Sequence, residues 1–411
     1  MELRNKLNIL FIAYSCRPHK GSEPGVGWNV VIESSKIHNV YVFTHISNKE
    51  DIDKETLKNN FQDIIFYYFK LPLAFSFIHK YFGMRMDYFF WNIFSINYLT
   101  YLDFNCDFDI IHHITFNQYR TINFGFFTNK PFVFGPIGGA DYIKGYFFKD
   151  LNFLTALKEI YRKSKIDIWF FNLFFKLNTN KKIILYSSIE NCKNLNFKSK
   201  SILGSKIYPA IGYSEKDFSL TSSRNTSDKF TIIYAGRAED WKGLKFLFRV
   251  LQRIKIQEIN LKLIGIRSLE ERFKIENWKR YYKIGCEIEI IDFLPRTDLL
   301  NLFGNSNLFV YPAFRDSGSM AILEASVVAC PTLCLKVGGQ DLLPNDSFLL
   351  VKPFESYRKT TEMYAEKLIW AYENRVELSE IGIRAQKYVS ENFQWEDKII
   401  YYQEIYKSLL K

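Results

Sequence analysis

One stretch constrains the fold more than any other: Tyr-Pro-Ala-Phe-Arg-Asp-Ser-Gly-Ser-Met-Ala-Ile-Leu-Glu-Ala-Ser-Val-Val-Ala-Cys-Pro, residues 311–331. The apolar run Leu308-Phe309-Val310 before it reads as a buried strand. A small polar loop follows, Asp316-Ser317-Gly318-Ser319, and then Met320, Leu323 and Val327 recur at helical spacing. Pro331 ends the helix, and Thr332–Leu335 restarts as a strand. Strand, loop and helix N-terminus form an anion-binding geometry, because first-turn N–H groups lack partners and the helix dipole favours negative charge. Side chains lean toward a helix N-terminus, so Glu324 is expected to point back at the crevice that holds Asp316. Two carboxylates beside an anion site suit a ligand with both phosphates and sugar hydroxyls.

The stretch resembles the signature of GT-B-fold, retaining glycosyltransferases of family 4 (group 1), in which seven residues separate two Glu and a Gly-rich turn follows the first. Here Asp316 takes the first acidic position and Glu324 the second. Asp for Glu shortens the reach by one methylene and keeps the charge. The resemblance implies two Rossmann-like α/β domains facing across a cleft, and an enzyme of the hexosyltransferase type (EC 2.4). It also implies a nucleotide-diphosphate sugar as donor, a saccharide or lipid-linked acceptor, and a place in surface polysaccharide biosynthesis. The alternative is a catalytically inactive protein of the same shape, serving as a nucleotide-sugar-binding or partner subunit.

Length and composition agree. A chain of 411 residues with 47% hydrophobic residues can bury two domain cores. With no apolar run of 18 residues, no transmembrane helix is expected. The start, Met-Glu-Leu-Arg-Asn-Lys, leads into a strand without a signal-peptide pattern. The six cysteines, at 16, 106, 192, 286, 330 and 334, lack C-x-x-C spacing and read as reduced core thiols. The expectation is a cytoplasmic protein, peripheral to the inner face of a membrane at most. Its net charge is +11, and residues 144–200 hold 12 Lys and Arg against 4 Asp and Glu. That surplus fits phosphates or an anionic lipid surface as well as it fits biased composition; no nucleic-acid partner is expected.

In chain order, Leu7–Ala13 reads as the first strand. The Gly-rich loop after it, Gly21 to Asn29, contains Gly25 and Gly27 and precedes a helix through Val30, Val31 and Ser34. The loop resembles the family's glycine loop, which implies that Gly25 and Gly27 face donor phosphate and acceptor. Strands are then expected at Val40–Thr44, Ile64–Phe69, Asp109–His113, Pro131–Phe134 and Lys182–Ser187. Alternation with helical stretches argues for a parallel sheet covered on both faces, with ligands beyond the carboxyl ends of its strands. Two further loops qualify as acceptor or sugar contacts: one with His112 and His113, one with Gly138 and Gly139. Each histidine reads equally well as structural, and Ile114 stands where relatives carry a second His of Asp-x-x-His-x-His. Aromatic and basic residues crowd 72–104 and 142–177, most densely from Ile166 through Trp169, Phe170 and Phe174 to Leu177. Such segments suit an interfacial membrane contact or a buried helix hairpin.

The N-terminal, acceptor-binding domain is expected over 1–205 and the linker over 206–228, rich in turn and small polar residues. The nucleotide-sugar-binding domain is expected over 229–390, and a terminal helix over 391–411 crossing back to the first domain. The second domain opens with a strand, Phe230–Ala235, followed by Gly236, Arg237, Lys242 and Gly243. Leu244, Leu247, Phe248, Leu251 and Ile254 then make a core stripe. Arg237 and Lys242 flank this helix N-terminus and match the family's Gly-Arg…Lys-Gly spacing, which implies that they stabilise a departing diphosphate. With Asp316 they form the expected catalytic set. Further strands are expected at Leu261–Ile264, Ile288–Ile291, Leu308–Val310, Thr332–Leu335 and Phe348–Val351, with Gly338-Gly339 in a loop. Phe293-Leu294-Pro295 resembles the segment whose backbone meets the nucleobase, with Asp292 where Gly is usual. The expected donor-binding residues are thus Glu324, Ser317, Gly318, Ser319, Met320, Leu294, Gly25 and Gly27. No Asp-x-Asp motif or His/Cys cluster suggests an ion, so no metal or other cofactor is expected.

Overall fold

The computed structural model describes residues 6–411 except 60, 62, 76, 121, 165, 178, 215–228, 255 and 257; the side chains at 77, 170, 174, 176 and 177 are also outside the description. The chain forms two units, one of Met1–Ala140, Lys165–Ile211 and Trp395–Lys411, the other of Asp141–Ser164 and Gly212–Gln394.

In the first unit, short apolar runs pair as a seven-stranded, all-parallel sheet: β1 (Asn8–Ile12), β2 (Asn39–His45), β3 (Ile64–Phe69), β4 (Ile110–His113), β5 (Phe132–Ile137), β6 (Lys182–Tyr186) and β7 (Ile202–Ile207). The order is β3-β2-β1-β4-β5-β6-β7, so the strand order reverses between β1 and β4. Alternate residues of each strand feed opposite faces. Leu10 and Ile12 pack with Phe43, Trp91, Phe134 and Phe175 on one face. Ile9 and Phe11 pack with Val31, Val42, Ile399 and Tyr402 on the other. Burial on both faces is why these strands read as unbroken apolar runs. The C-terminal helix, Trp395–Leu410, belongs to this second face, where Lys398 Nζ donates to the Pro209 carbonyl at 2.6 Å. Burial pushes the Lys398 ammonium down to about 7.

The second unit repeats the plan with β8 (Phe230–Ala235), β9 (Ile259–Ile264), β10 (Glu287–Ile291), β11 (Leu308–Tyr311), β12 (Thr332–Leu335) and β13 (Leu349–Val351), again all parallel. Its order, β10-β9-β8-β11-β12-β13, reverses between β8 and β11. Leu244, Leu247, Phe248 and Leu251 of the helix Leu244–Arg253 are buried, as their spacing requires.

Three readings are corrected. Residues 141–164 fold with the second unit rather than the first. There Phe147 stacks on Phe314 with ring centroids 4.2 Å apart, and the buried Asp150 carboxylate accepts from Arg249 Nε at 3.1 Å and from the Tyr357 hydroxyl. Nothing in a local pattern announces partners a hundred or two hundred residues away. Strand β7 was not anticipated, because Ile-Leu-Gly-Ser-Lys-Ile is a mostly exposed edge with a Gly inside. It also occupies the start of the expected linker, whose residues 215–228 lie outside the described residues. Finally, the aromatic run at 166–177 is divided between core and surface: Ile168, Phe171 and Phe175 are buried, whereas Trp169 is 70% exposed. Among the described residues no helix is long and apolar enough to cross a membrane.

Candidate active site at the carboxyl ends of β8 and β11

In an open parallel sheet, loops leaving adjacent strands in opposite directions part at the reversal of strand order and leave a crevice there. In the second unit those are the loops after β8 and β11. The first carries Gly236, Arg237 and a single turn, Asp240–Lys242, that ends at Gly243 with φ +75°. A Cβ on Gly243 would collide with the Pro312 carbonyl, so a residue without one brings the β8 loop against the β11 loop. Lys242 is thereby set beside Asp316, with Nζ donating to Oδ2 at 2.9 Å. The Tyr311 hydroxyl also donates to Asp316 Oδ2 and accepts from Lys242 Nζ. Lys242 lies over the Trp241 ring, 4.3 Å from its centroid. Both side chains of the ion pair are largely buried, at 17% and 16% exposure. Burial, followed by the Asp316 charge, pushes the Tyr311 phenol well above its ordinary range, so it stays a donor.

The Asp316 loop is held from beneath as well. Gly318 N–H donates to Asp316 Oδ1 at 3.2 Å, and Gly339 N–H donates to the Asp316 carbonyl at 2.7 Å. Gly338, at φ +54°, sits where a Cβ would strike that carbonyl. Ser319 is the N-cap of the helix Met320–Val327 and makes no side-chain cap bond. The Ser317 hydroxyl donates to the buried Asp141 carboxylate. Arg237 differs from Lys242: its side chain is 70% exposed and meets Glu239 at 3.2 Å. Glu324 is buried on the helix, with Arg296 Nε at 3.7 Å; that guanidinium lies 5.0 Å from the Tyr213 ring centroid. Leu294 is half-buried just before Pro295, which caps the helix of Arg296, while Phe293 is exposed under the Arg267 guanidinium and Asp292 pairs with Arg272.

Lys242, Asp316, Ser317, Gly318 and Ser319 are thus brought together in one unit. The first-unit candidates are placed otherwise. Gly25 and Gly27 lie not in a loop but in the first turns of the helix Ser22–Ser35, where they let it press against the carbonyls of Lys20 and Ser15. His112 is fully buried, with Nδ1 2.7 Å from the Tyr406 hydroxyl and Nε2 2.9 Å from the Gly135 carbonyl. His113 is equally buried, with Nε2 2.7 Å from the Tyr88 hydroxyl and Nδ1 accepting from Asn123 at 3.2 Å. Burial pushes both imidazoles down to about 3. Both are therefore neutral core residues with each ring nitrogen occupied, which corrects the reading of them as sugar contacts. Gly138 pairs with the 117–119 segment after β4, its N–H donating to the Asn117 carbonyl at 2.8 Å, and Gly139 follows at φ +94°. Tyr311, Gly243 and the Gly338-Gly339 pair were not expected as site residues; the glycine doublet and the Lys-Gly step at Gly243 were the visible signals. Among the described residues no group of three or more His, Cys, Asp or Glu is placed to hold a metal ion.

Residues 215–388 match the model of the family described as "Glycosyl transferases group 1". Within that span lie Lys242, Asp316 and Glu324. Over that span the chain is similar to group 1 glycosyltransferases. A curated relative, the capsular polysaccharide biosynthesis glycosyltransferase CapM of Staphylococcus aureus, is 27% identical over 191 residues, covering 45% of this chain and 48% of CapM. The match therefore spans about half of that relative's length. Among solved structures, sucrose-phosphate synthase from Thermosynechococcus elongatus superposes with a TM-score of 0.69 at 15% identity, over 98% of this chain and 99% of that one. Anabaena HepE, solved in complex with UDP and glucose, gives 0.63 at 14% identity over 98% and 100%. These likenesses establish the fold, two parallel-sheet α/β domains of the GT-B type.

The crevice owes its shape to close backbone approach, which gives a direct test. Gly338→Ala should lower the unfolding free energy by about 1–3 kcal/mol, the cost of strain at such a backbone position, and should weaken nucleoside diphosphate binding. Thermal melts with and without the nucleotide would measure both. An unshifted melt would mean that the Asp316 loop does not depend on this contact.

Proposed function

We propose that the chain transfers a sugar, with retention of anomeric configuration and without a metal ion, from a nucleotide-diphosphate sugar to a saccharide or lipid-linked acceptor in surface polysaccharide biosynthesis. The observation that carries this reading is the Lys242–Asp316–Tyr311 cluster at the β8/β11 crevice, beside the Ser319–Met320 helix N-terminus. Departure of a nucleoside diphosphate leaves new negative charge on the β-phosphate oxygens. Lys242, fixed by its partners, and Arg237, free to swing, would stabilise that charge where a metal ion does so in other enzymes. Each cation begins on a carboxylate, Lys242 on Asp316 and Arg237 on Glu239. A bound diphosphate would draw them away, leaving Asp316 to accept from donor-sugar hydroxyls. Glu324 would accept from ribose hydroxyls, the N–H groups of Ser319 and Met320 would meet phosphate oxygens, and the backbone around Leu294 would meet the base. The similarity to CapM supports a polysaccharide product, and the group 1 match supports the donor class.

The rival reading is a binding or partner subunit that has lost catalysis. It predicts donor binding with no turnover. On the transferase reading, Lys242→Ala lowers transfer by about a hundredfold or more, the scale of removing one charge-stabilising donor. Asp316→Asn lowers it by at least about tenfold, while nucleotide binding survives. Release of nucleoside diphosphate, followed with each nucleotide sugar and membrane extract as acceptor, is the readout; an unchanged rate in Lys242→Ala would sink the leaving-group role.

The same reading puts the enzyme at the inner face of a membrane. On the helix Phe153–Lys163, Phe153, Leu154, Leu157, Ile160 and Tyr161 share one face and are all exposed, flanked by Lys158, Arg162 and Lys163. An outward apolar face with basic neighbours suits the interface of an anionic bilayer. The wild type should float with anionic vesicles and less at raised salt. Leu154→Ser with Leu157→Ser should release it without lowering the melting temperature. Failure of the wild type to float, or an early melt of the variant, would assign these residues to another role.

A further inference from the structure

A cavity of about 300 Å³ opens in the first unit, beyond the carboxyl ends of β1, β2 and β3. Its wall draws on separate elements: Tyr14 and Arg17 after β1, His45 at the end of β2, Lys70 after β3, and His79 and Asp87 on two helices. Asp87 is the only carboxylate on that wall among the described residues, and it is already engaged. It is buried, accepts from the Tyr14 hydroxyl at 2.8 Å, and faces His79 Nδ1 at 3.5 Å and His45 Nε2 at 3.8 Å. The two fixed cations are set differently. Arg17 is held by side-chain bonds, Nε donating to Asn48 Oδ1 at 2.7 Å and a terminal nitrogen to Ser47 Oγ at 3.0 Å, with its ion-pair partner Asp51 at 3.9 Å. Lys70 is exposed and has no ion pair among the described residues. The wall therefore carries an excess of positive charge in a space the size of one sugar ring, with Leu71 and Met84 supplying apolar surface.

We propose that this cavity binds the anionic end of the acceptor, a sugar bearing a phosphate or a carboxylate, with Arg17 and Lys70 as the recognising charges. The inference rests on the transferase reading, in which the first domain takes the acceptor. Arg17, pre-oriented by Asn48 and Ser47, gives up little freedom on binding, and its fork can engage two anion oxygens at once. Lys70 adds a point charge from the same wall. A neutral hexose would fit the space and gain neither contact.

Calorimetric titration of the full chain with glucose 6-phosphate, glucuronic acid and glucose tests this directly. The anions should bind at least about tenfold more tightly than glucose, the scale of one charge-assisted hydrogen bond. Arg17→Gln and Lys70→Glu should each erase that advantage while leaving nucleoside diphosphate affinity unchanged, a control that also reports folding. A preference for glucose 6-phosphate assigns a phosphorylated acceptor, and a preference for glucuronic acid assigns an acidic sugar. Equal binding of anions and glucose, or an unaltered Lys70→Glu, overturns the anion site while the transferase reading stands. Anion binding in a protein that takes no nucleoside diphosphate would remove the transferase reading and leave the anion site.

Discussion

The ion pair between Lys242 and Asp316 joins the two loops from which the proposed donor site is built. Each loop leaves a different strand, and the strands are neighbours only because the sheet order reverses between β8 and β11. The pair is mostly buried, so it is held by more than Coulomb attraction. The Tyr311 hydroxyl and the Gly318 N–H satisfy the carboxylate, and the Trp241 and Tyr311 rings cover the ammonium. Removing one member of such a pair leaves an uncompensated buried charge at a cost of about 3–5 kcal/mol. The pair therefore fixes the geometry of the two loops, and on the proposed function it would release a cation when a diphosphate competes for it.

The segment 141–164 braces the same loops from outside the sheet. Asp141 accepts from Ser317, Asp240 accepts from the Asn152 N–H at 2.7 Å, and the buried Glu159 accepts from Arg315 Nε at 3.2 Å. Three points of attachment flank Lys242 and Asp316 on both loops. The segment carries the exposed apolar face proposed to meet lipid, so that face and the two loops belong to one packed body.

Much of this was legible in the sequence, for identifiable reasons. The strands of the second unit and the helix after Gly243 follow from apolar runs and a 3.6-residue stripe, signals local in sequence and dictated by burial. The meeting of Lys242 with Asp316 could be anticipated because both sit just past strand ends in a repeating β/α pattern. What escaped was set by distant partners. Residues 141–164 read as part of the first domain because remote contacts, such as those of Asp150 and Phe147, tie them to the second. His112 and His113 look like ligand contacts at a strand end, yet Tyr406, Tyr88 and the Gly135 carbonyl consume their nitrogens inside the core. Gly25 and Gly27 look like a loop, but their missing side chains serve a helix packed on backbone carbonyls.

The claim at the centre is that the β8/β11 crevice binds a nucleoside diphosphate through Lys242. The most direct measurement is the affinity of nucleoside diphosphates and of the matching monophosphates for the wild type and for Lys242→Met. The account predicts that the wild type prefers the diphosphate and that Lys242→Met loses at least about tenfold for it, while affinity for the monophosphate changes little. Equal affinity of the two proteins for the diphosphate would contradict it.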